Sequence, residues 1–502
     1  MRAHAALSMV AVSACGRLGF DPTSGPTDDD DSSSVFISPS GSDDSPGTRA
    51  APFKTFSAAL AATGPGITLV LLDGTYGQAT GTGDLIVDCE APSATCGGGP
   101  CPNGRADARI TVRADRSRQA TIQGTDYSPL WLKNCSFWDF HGLVVHNTDA
   151  LIPIRGNTIT LDEGTDLVLR DLIVTKPNRF ENWNAIEISD CDRVLLEDSE
   201  VYDFHEHGVA VYYSGDVVVR RVYANGRGRL DGPGSTTCPS EGDLGFSIRN
   251  SANVLVESSI AENNCEGFEI IVGDSVEAGR RANAGNDNRI VSSVAIGKAG
   301  IADTGFAIIA QCTGGCSEKD IPDRNLIKHA VALGFERAFL GRGRDSEFEM
   351  ITAIGSDTGI ELDADTSAFP DGSGRVTGAS LVGVEPDPAT TRGVNVSADV
   401  AAWSVTTSNA FLFDTAWVPA TNVVTSTQQD PMFGACTMYS RFDGFGARVM
   451  TRWVNGVDSG MALWDEATGA FPCGAVVVGV NDDSNVSCTG VHERISVTSC
   501  LP

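Results

Sequence analysis

Apolar and polar residues alternate in short bursts along most of this 502-residue chain, and the bursts recur. AIEIS at 185–189, GVAVY at 208–212, GFSIR at 245–249 and GFEII at 267–271 share one pattern. GFAII at 305–309, AFLGR at 338–342 and GIELD at 359–363 continue it. Each has period two, which predicts a short strand with one face turned inward. A second set lies between them: RVLLEDSEV, DVVVRRVYA, NVLVESSIA, NRIVSSVAI, NLIKHAVAL and FEMITAIGS. The starts at 185 and 208, 245 and 267, and 338 and 359 are 23, 22 and 21 residues apart. That period, with two or three β segments per lap joined at Gly, Asn or Asp corners, predicts a parallel β-helix. The 55 Gly and the many β-branched residues disfavour long α-helices.

Stacked laps put Ile186, Val209, Phe246, Phe268, Phe306, Phe339 and Ile360 in one internal file. The longer steps from 208 to 245, 267 to 305 and 305 to 338 carry insertions at about 227–243, 274–287 and 312–322. Insertions in a repeat become loops on one side, where they wall a binding face. Cys238 lies in the first insertion and Cys265 at the equivalent corner one lap later, so this pair is expected to be bonded. Cys312 and Cys316 have the spacing to close a small loop of their own.

The two ends read differently from the repeat. Residues 1–14 have a basic start at Arg2 and an apolar stretch too short to span a bilayer, the signature of an export signal. Val12-Ser13-Ala14-Cys15 resembles the lipobox of bacterial lipoproteins, which implies lipid attachment at Cys15. Gly16 after the Cys points, within that resemblance, to the outer membrane; the destination is the envelope or the extracellular space. Residues 15–34 are acidic and rich in Pro, Gly and Ser, a tether that cannot bury a core. Residues 35–427 form the coil, and 428–502 a segment with Cys436, Cys473, Cys488 and Cys500, expected to form two disulfides and cover the far end. A net charge of −29 excludes nucleic acid and anionic lipid surfaces as partners. The membrane is then reached only through the anchor, and a monomer is expected. Fourteen Cys in an exported protein predict disulfides, with an odd thiol left over once Cys15 is acylated.

Residues 35–60 (a strand, SGSDDSPGT, then PFKTF and a helix at about 54–62) resemble the opening of secreted right-handed β-helix proteins. ITLVLLDGTY at 67–76 and ARITVRAD at 108–115 resemble the first rungs of pectate-lyase-like and chondroitinase B-like polysaccharide lyases. The resemblance implies an all-β, right-handed parallel β-helix, a single solenoid with a short helical N-terminal cap and a C-terminal β/loop segment. It also implies a polysaccharide or surface glycan as partner. Lyases of this fold remove a proton beside a uronate carboxylate that calcium, held by clustered carboxylates, neutralises. The chain departs from that pattern at one point: in CEGFEII and TGFAII, Ala307 stands where the family places its lysine base.

Residues that follow each inward position face outward: Glu187, Ala210, Ser247, Glu269, Ala307, Leu340 and Glu361. The corner column reads Asn184, His207, Leu244, Glu266 and Thr304, and a third reads Ser189, Tyr212, Arg249, Ile271 and Ile309. Together they predict a solvent-facing patch. His207, Arg249 and Tyr212 are its candidate catalytic groups, with Trp183, Glu187 and His205 to contact sugar and Glu266 and Glu269 to hold calcium. His205 and His207 at i, i+2 have the spacing of two zinc ligands, but adjacent laps supply no third. Two functions remain: a surface protein that binds and cleaves or epimerises a polysaccharide, and a non-catalytic coil for glycan capture, adhesion or envelope structure.

Overall fold

Lap upon lap, the alternating segments wind into a coil walled by three parallel sheets. The computed structural model describes residues 33–124, 128–147, 156–175, 184–204, 206–226, 238, 244–273, 285–297, 301–311, 321–363, 372–383 and 391–396, with strand segments beyond as far as 494–496. Among the described residues, the first sheet has thirteen strands, from Ser34–Ile37 to Ala402–Thr406. The second has twelve, from Leu85–Asp88 to Thr415–Val418, and the third thirteen, from Gly74–Tyr76 to Ser426–Thr427. Neighbours within a sheet come from successive laps, so the backbone of each lap hydrogen-bonds to the next and only the ends present free edges. The strands at Met438–Phe442, Phe445–Met450, Val476–Gly479 and Arg494–Ser496 form a separate antiparallel sheet. The signal, Cys15, the tether, Trp183, His205, Cys312, Cys316 and the four C-terminal cysteines lie outside the described residues.

The second sheet carries the internal file in the register that the alternation predicts. Ile186, Val209, Phe246, Phe268, Phe306, Phe339 and Ile360 pair one above another. All are buried. The rings of Phe246, Phe268 and Phe306 lie parallel, with centroids 4.7 and 4.8 Å apart, and Phe339 follows at 5.2 Å. Those distances match the strand spacing of a sheet, so backbone pairing and ring stacking enforce each other.

Each segment of the second set is two strands. Asp192–Glu197 belongs to the first sheet and Glu200–Tyr202 to the third, with the bend at Asp198. The equivalent bends at Arg221, Ser258, Ser292, His329 and Met350 all take positive φ between 50° and 53°. A left-handed residue turns the chain sharply while keeping both strands in ladder register. The N–H groups freed near these bends are capped from the next lap: Leu172 donates to Ser199 Oγ at 3.1 Å and Val222 to Ser259 Oγ at 3.2 Å. The buried donors at these two corners are thereby satisfied.

The N-terminal helix spans Phe56–Ala61, inside the predicted range. Thr55 caps it, its side chain accepting from the Ala58 N–H, and Phe56, Ala59 and Leu60 are buried against the first laps. Cys238 and Cys265 are bonded, as are Cys89 with Cys135 and Cys96 with Cys101. Cys191 is the unpaired cysteine among the described residues; burial pushes its thiol up to about 12, which makes it inert.

Candidate functional site

The register places the predicted outward column as expected: Glu187 pairs with Ala210, Ala210 with Ser247, Ser247 with Glu269 and Glu269 with Ala307. Its environment differs from the prediction. Ala210, Ser247, Glu269, Ala307 and Leu340 are buried, and only Glu187 and Glu361 stay partly open. Alternation fixes which way a side chain points, not what lies across from it. The Cys238–Cys265 bond fastens Cys238 beside this column, next to Glu266. The site is therefore a half-buried polar seam, with Glu269 enclosed and Glu187, His207, Tyr212, Arg249 and Glu266 partly open, rather than a fully solvent-facing patch.

A chain of hydrogen bonds runs along the lower part of the seam. Ser128 and Thr160 hydroxyls meet at 2.8 Å, and Asn157 Nδ2 reaches Thr160 Oγ1 at 3.2 Å and Glu187 Oε2 at 3.1 Å. Asn184 Nδ2 donates to the same Glu187 oxygen at 2.8 Å, and Asn184 Oδ1 lies 2.6 Å from His207 Nδ1. Tyr212 Oη is 3.1 Å from that nitrogen. Burial, and secondarily the positive charge of Arg249, pushes the His207 imidazole down to about 3, so the ring is neutral throughout the physiological range. Burial, then the negative charges of Glu206 and Glu187, raises the Tyr212 phenol well above its ordinary value and keeps it protonated. Asn157 and Glu206 were not among the sequence candidates. Asn157 stands two residues before Ile159, as Asn184 stands two before Ile186, and extending the corner column one lap down finds it.

The upper part of the seam holds Glu266 and Glu269. Burial, then the nearby charge of Asp303, pushes Glu266 up to about 7, while Arg337 opposes the rise. Burial and the neighbouring Glu266 push Glu269 up to about 8, against the opposing charge of Arg249. Two such carboxyls do not amount to a calcium site. Calcium takes six to eight oxygen ligands, including ionised carboxylates. Glu269 lies between Ser247 and Ala307, and among the described residues no three His, Cys, Asp or Glu side chains converge to hold a metal.

The raised carboxyls set a pH dependence whose sign follows from linkage. The folded state binds these protons more tightly than the unfolded chain, so their contribution is fully present below the ordinary glutamate value, near 4.5. It is lost as pH rises through about 7 and 8. Denaturation midpoints measured from pH 5 to 9 should fall across that window, and Glu269→Gln should flatten the fall. A wild-type midpoint that rises over the window would refute the assignment.

Residues 104–313 match a family described as "Right handed beta helix region", and residues 39–86 match one described as a protein of unknown function, DUF1565. Among solved structures, XylC in complex with xylose aligns over 83% of this chain and 89% of its own, with a TM-score of 0.56 at 9% identity. The protein is a right-handed parallel β-helix. Two further structures align over similar lengths with lower scores. The mannuronan C-5 epimerase A-module of Azotobacter vinelandii covers 78% of this chain and 100% of its own, TM-score 0.49 at 13% identity. A rhamnogalacturonan lyase covers 75% and 87%, TM-score 0.45 at 16% identity. No curated protein matches the sequence. At such identities the likeness to this β-helix concerns architecture alone.

Proposed function

We propose that the seam is a carbohydrate site that breaks or epimerises a uronate-containing polysaccharide by proton transfer between His207, Tyr212 and the sugar. The observation that carries this reading is the pairing of a neutral imidazole with a protonated phenol 3.1 Å from its ring, beside Arg249. A uronate carboxylate seated against Arg249 loses its charge repulsion to a forming carbanion, which acidifies the adjacent C5 proton. Neutral His207 removes that proton; burial is the main reason that the ring is weakly basic, and the incoming anion offsets the lesser effect of Arg249. Tyr212 returns a proton, either to the departing glycosidic oxygen, giving elimination, or to the other face of C5, giving the epimer. The carboxyls of Glu266 and Glu269, both pushed toward keeping their protons, hydrogen-bond sugar hydroxyls and repel an anionic chain less than two ionised glutamates would.

The name of one architectural neighbour, a mannuronan C-5 epimerase, is consistent with this chemistry but does not carry it. We also propose export and anchoring through Cys15; three disulfides agree with an oxidising compartment, and the mass of the mature N-terminal peptide tests the anchor.

The test uses the purified full chain with a panel of uronate polymers. Ultraviolet absorbance of unsaturated ends reports elimination, and solvent-deuterium incorporation at C5 reports epimerisation. Signal in either channel supports the reading. Silence in both, with the same polymers still retarding the protein in an affinity gel, moves the assignment to a glycan-binding coil, a reading that Ala307 in the lysine position favours.

A further inference from the structure

We infer that Glu187, acting through Asn184, is a positioning residue that holds the proton of His207 on Nδ1 and leaves Nε2 as the lone-pair nitrogen that meets the sugar. The inference rests on the reading of the seam as a proton-transfer site and names the group that orients its base.

The chain of assignments starts from a group with no ambiguity. The backbone N–H of Asn184 donates to Asn157 Oδ1 at 2.8 Å, which identifies that atom as the amide oxygen. The other end of the Asn157 amide is then its NH2, and it points at Glu187 Oε2 at 3.1 Å. An ionised Glu187 oxygen accepts only, so the Asn184 atom 2.8 Å away is likewise its NH2. The remaining end of the Asn184 amide, 2.6 Å from His207 Nδ1, is therefore a carbonyl oxygen. A carbonyl cannot donate, so Nδ1 carries the hydrogen. The ring is neutral, which leaves Nε2 without one.

The other groups around the ring agree with this placement. Tyr212 Oη, 3.1 Å from Nδ1, accepts a share of the same N–H and keeps its own hydrogen for donation elsewhere. Glu206 Oε1 stands 3.9 Å from Nδ1, on the side where a protonated nitrogen is favourable. Arg249 adds a positive charge that opposes a second proton on the ring. Among the described residues, none bonds Nε2. Free histidine side chains favour the hydrogen on Nε2, so the seam selects the tautomer that solution disfavours, and selecting it requires an oriented acceptor.

The experiment is long-range 1H–15N correlation of ring-labelled full-length protein at neutral pH, with the His207 signals assigned by their loss in His207→Gln. Wild type should show a protonated Nδ1 and a bare Nε2. Glu187→Ala removes the oxygen on which the Asn157 and Asn184 NH2 groups converge, the Asn184 amide is free to turn, and the tautomer ratio should move by about tenfold or more toward Nε2–H. Glu206→Gln should leave the ratio in place. A wild-type ring protonated on Nε2 overturns the inference, as does a Glu187→Ala ring still protonated on Nδ1 or a Glu206→Gln ring that flips. If Glu187→Ala does not fold, wild type and Glu206→Gln decide. The polymer assay is read separately: expected spectra with no turnover keep the proton placement and discard the catalytic reading.

Discussion

Replacing Phe268 by Ala should destabilise the coil by about 3–5 kcal/mol, the range for a large buried aromatic truncated in a core. Three features set the value toward the top. Phe268 is stacked on both faces, with Phe246 at 4.7 Å and Phe306 at 4.8 Å, so one substitution removes two ring contacts. The strand ladder fixes the height of each lap, and the neighbours cannot collapse into the void. Glu269 is next in the chain, so disorder in this lap reaches the seam. Ile360→Val, on a file position outside the ring stack, removes one methylene and should cost about 0.5–1.5 kcal/mol. Denaturant unfolding followed by fluorescence compares the two. A Phe268→Ala loss no larger than that of Ile360→Val would mean that the file is not close-packed.

His207→Ala should lower turnover of the polymer that gives signal by about 10²–10⁴-fold, the contribution of a positioned general base. Binding should change far less, because the substrate carboxylate is held by Arg249 and the sugar by groups in other laps. His207→Gln keeps a polar group near Asn184 but offers no basic nitrogen, so it should be as inactive as the alanine variant while melting at the wild-type temperature. Elimination rates and affinity-gel retardation, measured on the same preparations, separate the two effects. Full turnover in either variant would remove His207 from the chemistry and leave the other histidine of the motif, His205, as the group to examine.

The repeat was legible because a coil makes sequence distance into height. A side chain that recurs every 21 to 23 residues must stand above its predecessor, so the file from Ile186 to Ile360 and the Cys238–Cys265 bond could be read from spacing. The insertions were legible as interruptions of that spacing. The corners were less so. A strand that bends at a left-handed Asp198 or Arg221 keeps its apolar alternation, and two strands in two sheets looked like one.

The register that brings the candidate residues together was legible, but their burial and protonation were not. His207, Tyr212, Arg249, Glu266 and Glu269 were picked out as members of a solvent-facing patch, with the two glutamates as calcium ligands. The structure encloses Glu269 and pushes both carboxyls toward keeping their protons. It also keeps His207 a neutral ring. Order along the chain was enough to give lap length, inward and outward positions and one disulfide, and the resemblance of residues 35–60 to other β-helix openings gave the cap helix. Burial, protonation and which end of each amide faces which neighbour emerged from the folded coil. Those depend on distances of a few ångströms between laps and on what covers them, and the field of a charge falls with separation in space, not along the chain.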